Sequence, residues 1–275
     1  MDIDGNPCIG SALCINNPLK LDLDLFKLDS TAERDAYETA NSSAPTYTIP
    51  TINPADYAPL VAGGGSNHYI LNDDGTVTQG GTETIINCGS DGLCTGGTTV
   101  AAPTGWTFAS GEWKVTGSSA ANGVFYAESK VEISGSPGSD ASPWQATIIA
   151  RDSIKVSGNP DIKPYLSATA ELQNTLFVTG NDLEISGNME ANYAGGAILV
   201  HEQIKISGNP KINGWIIAGD GRPTWSGDPF PTASVGVTMN EISGNAEITY
   251  SCDTSCSGPG CPSMTISTVS WSQKF

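Results

Sequence analysis

Histidine and basic side chains are scarce in this chain. Only His68 and His201 occur in 275 residues, and twelve Lys and Arg stand against 29 Asp and Glu, a formal charge of −17. Phosphate binding needs clustered Lys or Arg, so nucleic acid is excluded as a partner. The acidic surplus serves solubility. Two distant histidines supply neither a His-rich metal signature nor a catalytic triad, and no nucleophile motif or phosphate loop is present. No apolar run approaches the length of a membrane-spanning helix. The start, Met1-Asp2-Ile3-Asp4, is polar and unlike a secretory signal, so the chain reads as a mature form or a fragment. Charged residues make up only 15%, while Gly and Pro reach 32 and 17, a balance that fits an all-β protein with many turns.

A short phrase recurs in the back half: apolar, polar, apolar, then Ser or Thr followed by Gly. Its copies are Trp113–Gly117, Val131–Gly135, Ile154–Gly158, Leu183–Gly187, Ile204–Gly208, a degenerate Pro223–Gly227, and Asn240–Gly244. The mean period is about 21 residues, which suits one coil of a parallel β-helix. The triplet has the two-residue period of a half-buried strand, and the Gly that follows at once rules out a helix. Stacked coils would place the middle residues over one another: Lys114, Glu132, Lys155, Glu184, Lys205, Thr224 and Glu241. Their signs alternate until Thr224, as cross-strand pairing favours.

After each Ser-Gly stands a turn residue, Asn159, Asn188, Asn209, Asp228 or Asn245, with Ser118 and Ser136 in the earlier copies. Stacked Asn amides can bond to one another. Pro137, Pro160, Pro210 and Pro229 follow directly, so the strand is expected to end there and Ser-Gly-Asn-Pro to form a corner. A second strand precedes each triplet: Val124–Ala127, Thr147–Ala150, Leu176–Thr179, Ala197–Val200 and Trp215–Ala218. The spacing from the first four to the triplet is constant, so length variation falls on one edge, above all in the insertion Asp161–Thr175. That edge is the expected recognition surface.

Seven cysteines form short-range groups: Cys8 with Cys14, Cys88 with Cys94, and Cys252, Cys256 and Cys261 together. They read as disulfides closing small loops in an oxidising compartment, with one thiol unpaired or paired elsewhere. Zinc is the competing reading, but neither histidine lies near a cysteine pair.

Four regions are expected. Residues 1–66 hold a strand over Leu19–Leu28, a short helix opened by the capping box Ser30-Thr31-Ala32-Glu33, and an extended Pro/Gly-rich connector over 42–66. Residues 67–112 carry a hairpin or the start of the first coil at Tyr69–Leu71 and Thr76–Thr78, then a disulfide loop. Asp73-Asp74-Gly75 slightly resembles a calcium loop, though turn chemistry explains it. The repeats fill 113–250, and a Cys-rich cap with a terminal strand follows over 251–275.

Chemistry has two candidate places. Just after the second strands, Glu128, Arg151, Asp152, His201, Glu202 and Asp220 would stack along a solvent-facing turn. Carboxylates in a row could do acid/base work on a polysaccharide or bind calcium. On the insertion edge, Trp144, Tyr165, Tyr193 and Phe230 stand among prolines and polar residues, where they could grip sugars or a protein partner. The same rings could equally seal the loops onto the coil.

Phe125-Tyr126-Ala127 through Glu132–Gly135, Ile148-Ile149-Ala150, Leu176-Phe177-Val178, His201–Pro210 and Asn213–Ala218 resemble the β-helical passenger region of PilX-type, type IV pilus-associated minor-pilin-like proteins of Gram-negative bacteria. The stretches Ile49–Tyr57 and Tyr69–Val77 are similar to the segment before it. The resemblance implies a non-enzymatic element displayed outside the cell, with other pilus or surface proteins as partners and contact with a membrane only through a segment absent from this chain. The chain lacks the hydrophobic N-terminal helix of a pilin. The expected protein is thus a secreted, all-β, right-handed parallel β-helix of about seven coils, with an irregular N-terminal segment and a Cys-rich cap. It would act as a structural or adhesive surface element without cofactor or metal. A carbohydrate-active enzyme or glycan-binding module is the alternative, and a self-associating filament subunit is third.

Overall fold

Among the described residues each recurring triplet is a strand, and each pairs with the next. The strands Glu112–Val115, Lys130–Ile133, Ile154–Val156, Leu183–Ile185, Ile204–Ile206 and Glu241–Ile242 follow one another in parallel, and Trp106–Ala109 closes the near edge antiparallel. The computed structural model describes residues 52–80, 85–166, 169, 172–218, 241–249 and 270–271, with backbone alone at 192–195, 241 and 270–271. Among these residues the protein is mostly β with one short α-helix.

The expected charge column forms in register: Lys114 faces Glu132, then Lys155, Glu184, Lys205 and Glu241. Lys114 Nζ lies 2.7 Å from Glu132 and Lys155 Nζ 3.1 Å from Glu184. One expectation is corrected. Lys205 pairs directly with Glu241, so no rung lies between these two copies, and six triplets stack among the described residues. The degenerate copy Pro223–Gly227 begins with Pro, which cannot donate to a ladder. Thr224 and Asp228 lie outside the described residues. Without Thr224 the sign alternation is unbroken.

A second ion-pair column lies beside the first. Glu112 bonds Lys114 and Lys130 at 3.0 and 3.1 Å. Burial alone would raise the Glu112 carboxyl, but its bonds to the two lysines outweigh that and hold it below the ordinary value. Its support for the fold is present above the unfolded carboxylate's pKa and lost as pH falls through the folded-state value.

Behind the charged edge, the glycines of the phrase form a column of their own. A Cβ on Gly135, Gly158 or Gly187 would collide with the carbonyl of the corner glycine one rung earlier. That contact explains why Gly follows every triplet. Beyond it the Asn amides bond in sequence: Asn188 Nδ2 donates to Asn159 Oδ1 at 3.0 Å, Asn209 to Asn188 at 2.9 Å, and Asn245 to Asn209 at 3.0 Å. The amide chain thus ties corner to corner beside the ion pairs of the charge column.

The corner prolines interrupt the chain only briefly. Asp161 N–H bonds the Pro137 carbonyl at 3.0 Å, Glu190 the Pro160 carbonyl at 2.8 Å and Glu247 the Pro210 carbonyl at 2.9 Å. After Pro160 and Pro210 a strand resumes within two residues, and Ile162, Ala191 and Ile212 turn into the core.

The second strands make an eleven-stranded sheet. His68–Leu71, Gly123–Ala127, Trp144–Ala150, Thr175–Thr179, Glu190–Val200 and Lys211–Ala218 run parallel in that order. Val77–Gln79 pairs antiparallel with Tyr69–Leu71, so this segment is both a hairpin and the first member of the stack. Its turn is closed by Thr76, whose N–H and hydroxyl donate to Asp74 Oδ1. At the other end Ser270–Trp271 pairs antiparallel with Ile248–Thr249. The rest of the expected cap lies outside the described residues, as do the strand and capping box of the N-terminal region.

Both faces of this sheet are apolar. Phe125, Ala127, Ile148, Ala150, Phe177 and Ile198 face inward and share a core with Trp113, Val131, Ile154 and Leu183 of the triplets. Ile70, Val124, Tyr126, Ile149 and Val178 face outward into a separate core. The outer core is closed by residues expected to be an extended connector. A 3-10 helix spans Pro54–Asp56, capped by Asn53 Oδ1, and an α-helix spans Ala58–Ala62. Pro54 and Pro59 sit in first turns, where no backbone donor is needed, and Ala58 and Val61 are fully buried. Over 52–66 the connector is therefore a helical cover.

Gly158→Ala should destabilise the fold by about 3 kcal/mol through overpacking at the corner, whereas Ser157→Ala stays within about 0.5 kcal/mol. Urea unfolding followed by circular dichroism measures both.

Candidate functional site

The residues after the second strands do stack, but as two rows rather than one, with Glu128 and Glu202 buried and Arg151, Asp152 and His201 half-buried. Carried past Ala127, Ala150, Thr179 and Val200, the register aligns Glu128 with Arg151, Gly180 and His201, and Ser129 with Asp152, Asn181 and Glu202. Glu128 and Glu202 are 6% and 5% exposed, so for these two the expected solvent-facing turn is corrected. At Glu128 the disulfide hairpin and the first turn are responsible. Glu128 accepts the N–H of Cys94 and, at 3.2 Å, that of Asp73. Beside it the Tyr126 hydroxyl donates to the Gly92 carbonyl at 2.7 Å. Burial raises the Glu128 carboxyl above its ordinary value, and the two backbone donors oppose that rise. His201 Nδ1 donates to the Ile52 carbonyl at 2.6 Å, tying down the start of the cover. Asp152 Oδ1 accepts from Ser153 N–H, the Ser153 hydroxyl and Asn181 Nδ2. Asp220 lies outside the described residues. The carboxylates of Glu128 and Asp152 hold backbone and side-chain donors in place, which is a structural use of them.

Cys88 and Cys94 form the expected disulfide, joining the paired strands Ile86–Cys88 and Cys94–Gly96. Cys8, Cys14, Cys252, Cys256 and Cys261 lie outside the described residues.

Two of the expected recognition aromatics are interior. Trp144 is 3% exposed, its indole N–H donates to the Ala121 carbonyl at 2.8 Å, and its ring packs against Trp106. Tyr165 is 8% exposed and its hydroxyl accepts from Asn67 Nδ2 at 2.7 Å. Both seal loops onto the sheets rather than face a ligand. Their neighbours Ile162 and Leu172 are also buried, so the described part of the Asp161–Thr175 insertion turns apolar side chains inward, while Leu166 is exposed. For Tyr193 only the backbone is described, and Phe230 lies outside the described residues.

The open polar feature sits at the corner instead. Asp140, Asp161 and Glu190 bring one carboxylate oxygen each within 4.8 Å of one another. They line a cleft of about 560 Å³ with Ser136, Ser139, Asn159 and Asn188. The cleft opens where the amide ladder stops. Ser136 occupies the place that Asn fills in later copies, and its hydroxyl accepts the Asn159 N–H at 3.3 Å. Asp161 and Glu190 are brought together by strand register, in a column that continues to Lys211 and Glu247. Lys211 Nζ lies 2.8 Å from Glu190 Oε1, and this bond raises the lysine pKa. Three carboxylates could contribute to the roughly six to eight oxygens of a calcium site, or accept bonds from sugar hydroxyls. Sequence reasoning passed over Asp140 and Glu190. The usable signal was the residue after each corner, but ending the strand at proline concealed it.

No protein-family model, curated protein or solved structure matches the chain. Among the described residues no helix is long and apolar enough to cross a membrane.

Glu128→Gln should cost about 1–3 kcal/mol, because an amide group then meets one of the two buried N–H donors. Thermal melting at neutral pH should show this, with Cys94 and Asp73 amides exchanging faster. Lys211→Met should lower the melting temperature slightly at low salt by leaving the corner carboxylates less neutralised, and the loss should shrink as salt is added.

Proposed function

We propose that this chain is a right-handed parallel β-helix serving as a non-enzymatic structural or adhesive element on a Gram-negative cell surface, associated with a type IV pilus or a similar filament. One observation carries the reading: the unbroken Asn159–Asn188–Asn209–Asn245 amide chain, running beside the charge column. A stack whose corners bond rung to rung is stiff, and stiffness suits a part that holds other groups away from a surface. The Cys88–Cys94 disulfide agrees with an oxidising location. Partners on this reading are other surface or pilus proteins, and no cofactor is required.

The corner cleft favours a second reading, a glycan-binding module. Carboxylates and amides at Asp140, Asp161, Glu190 and Asn159 offer the acceptors and donors that sugar hydroxyls use.

Immunogold labelling of intact cells and an adhesion assay with the gene deleted test the first reading: labelled filaments and weaker adhesion are expected. Turnover of a polysaccharide that is abolished by Asp152→Asn or Glu202→Gln would overturn it. On a glycan array, binding lost in Asp140→Asn and Glu190→Gln would establish the second.

A further inference from the structure

Both histidines of this chain touch the same segment, the cover over 52–66, and they hold it in different ways. His201 lies at its beginning and is bonded through Nδ1 to the Ile52 carbonyl. His68 lies at its end. The His68 side chain is 4% exposed, and neither ring nitrogen has a hydrogen-bond partner. Its ring packs so closely on Gly64 that a Cβ there would collide with the imidazole. The Tyr165 ring meets it edge-on at 6.4 Å, and the His68 backbone is pinned between the Gly65 carbonyl and the Gly80 N–H.

We propose that His68 is an acid-sensitive latch: protonation of its buried ring frees the Gly63–Gly65 end of the cover and exposes the apolar outer face of the sheet beneath. A neutral imidazole fits this buried site, whereas a protonated one brings a full charge and a second N–H donor, against which the structure sets only the Gly65 carbonyl. The neighbouring groups offer no counter-charge. The cover contributes Tyr57, and Asp56 at its head accepts from Asn53. The adjoining strand contributes Tyr126, which bonds Gly92, and beyond it Glu128, which holds Cys94 and Asp73. On the His68 strand Tyr69 stacks on Phe125, and the insertion contributes Tyr165.

Burial lowers the His68 pKa, with the Gly65 carbonyl working weakly the other way. The folded cover therefore takes up its proton at lower pH than the released segment does. Its stability is intact above the ordinary histidine value and declines as pH falls below it. The bond from His201 Nδ1 to the Ile52 carbonyl holds the start of the cover, so the cover opens from the His68 end. What opening uncovers is the strip Ile70, Val124, Tyr126 and Ile149.

Hydrogen exchange of the full chain, compared at about pH 7.5 and pH 5 after correction for intrinsic rates, tests the latch. Peptides covering 52–66 should lose protection by about tenfold or more at the lower pH, while the triplet strands keep theirs. His68→Phe should hold the cover closed at both values; His68→Gln, also uncharged, serves if the phenylalanine variant does not fold. Protection that is independent of pH, an equal loss in the uncharged variant, or simultaneous loss from the triplet strands would each overturn the proposal.

Discussion

The close stacking of corner glycines is the contact on which the other repeats depend. With no Cβ at Gly135, Gly158 and Gly187, each corner lies directly over the glycine carbonyl one rung earlier. This fixes rung against rung in register. Only in that register do Lys and Glu alternate along one column and can each Asn amide reach the one before it. Moving a triplet by one residue would turn its buried Ile and Val outward, at about 1.5–3 kcal/mol for each side chain. The apolar core therefore sets the energy scale of the register, and the amides and charges refine it.

A second constraint follows from the sheet that is apolar on both faces. Its outward side chains have to be removed from water, and three local features serve that need together. The helical cover buries Ala58 and Val61 on it, the disulfide hairpin docks through Gly92 and Cys94, and Tyr165 folds back from the insertion. Titratable groups are drawn under the same roof. Glu128 is buried because it terminates backbone donors of the hairpin and the first turn, and His68 because the glycine-rich end of the cover closes over it.

Much of this was legible. The two-residue period of the triplets, the glycine after each, the Asn corners and the second strands all appear where the sequence placed them, and Cys88 bonds Cys94. The degenerate copy at Pro223 misled, because similarity of letters placed Thr224 between Lys205 and Glu241, which pair directly. Trp144 and Tyr165 misled for another reason: an aromatic beside polar loops has the same local sequence whether it faces solvent or a core. The cover was hidden by its prolines, which suit an extended chain and a first helical turn equally well. A signal for it existed in the unbroken apolar runs Val124–Ala127 and Leu176–Val178, which an alternating, half-wet sheet would not need.

The sequence by itself determined the rung: which residues face in, where the chain turns, and which side chains recur at each corner, since all of these follow from local period and turn chemistry. The tertiary structure decided which distant segments meet. It brought Asp140 and Asp161 to Glu190 at one corner and set both histidines against the cover. Those meetings depend on the lengths and paths of connections that carry no periodic signal, so only the folded stack fixes them.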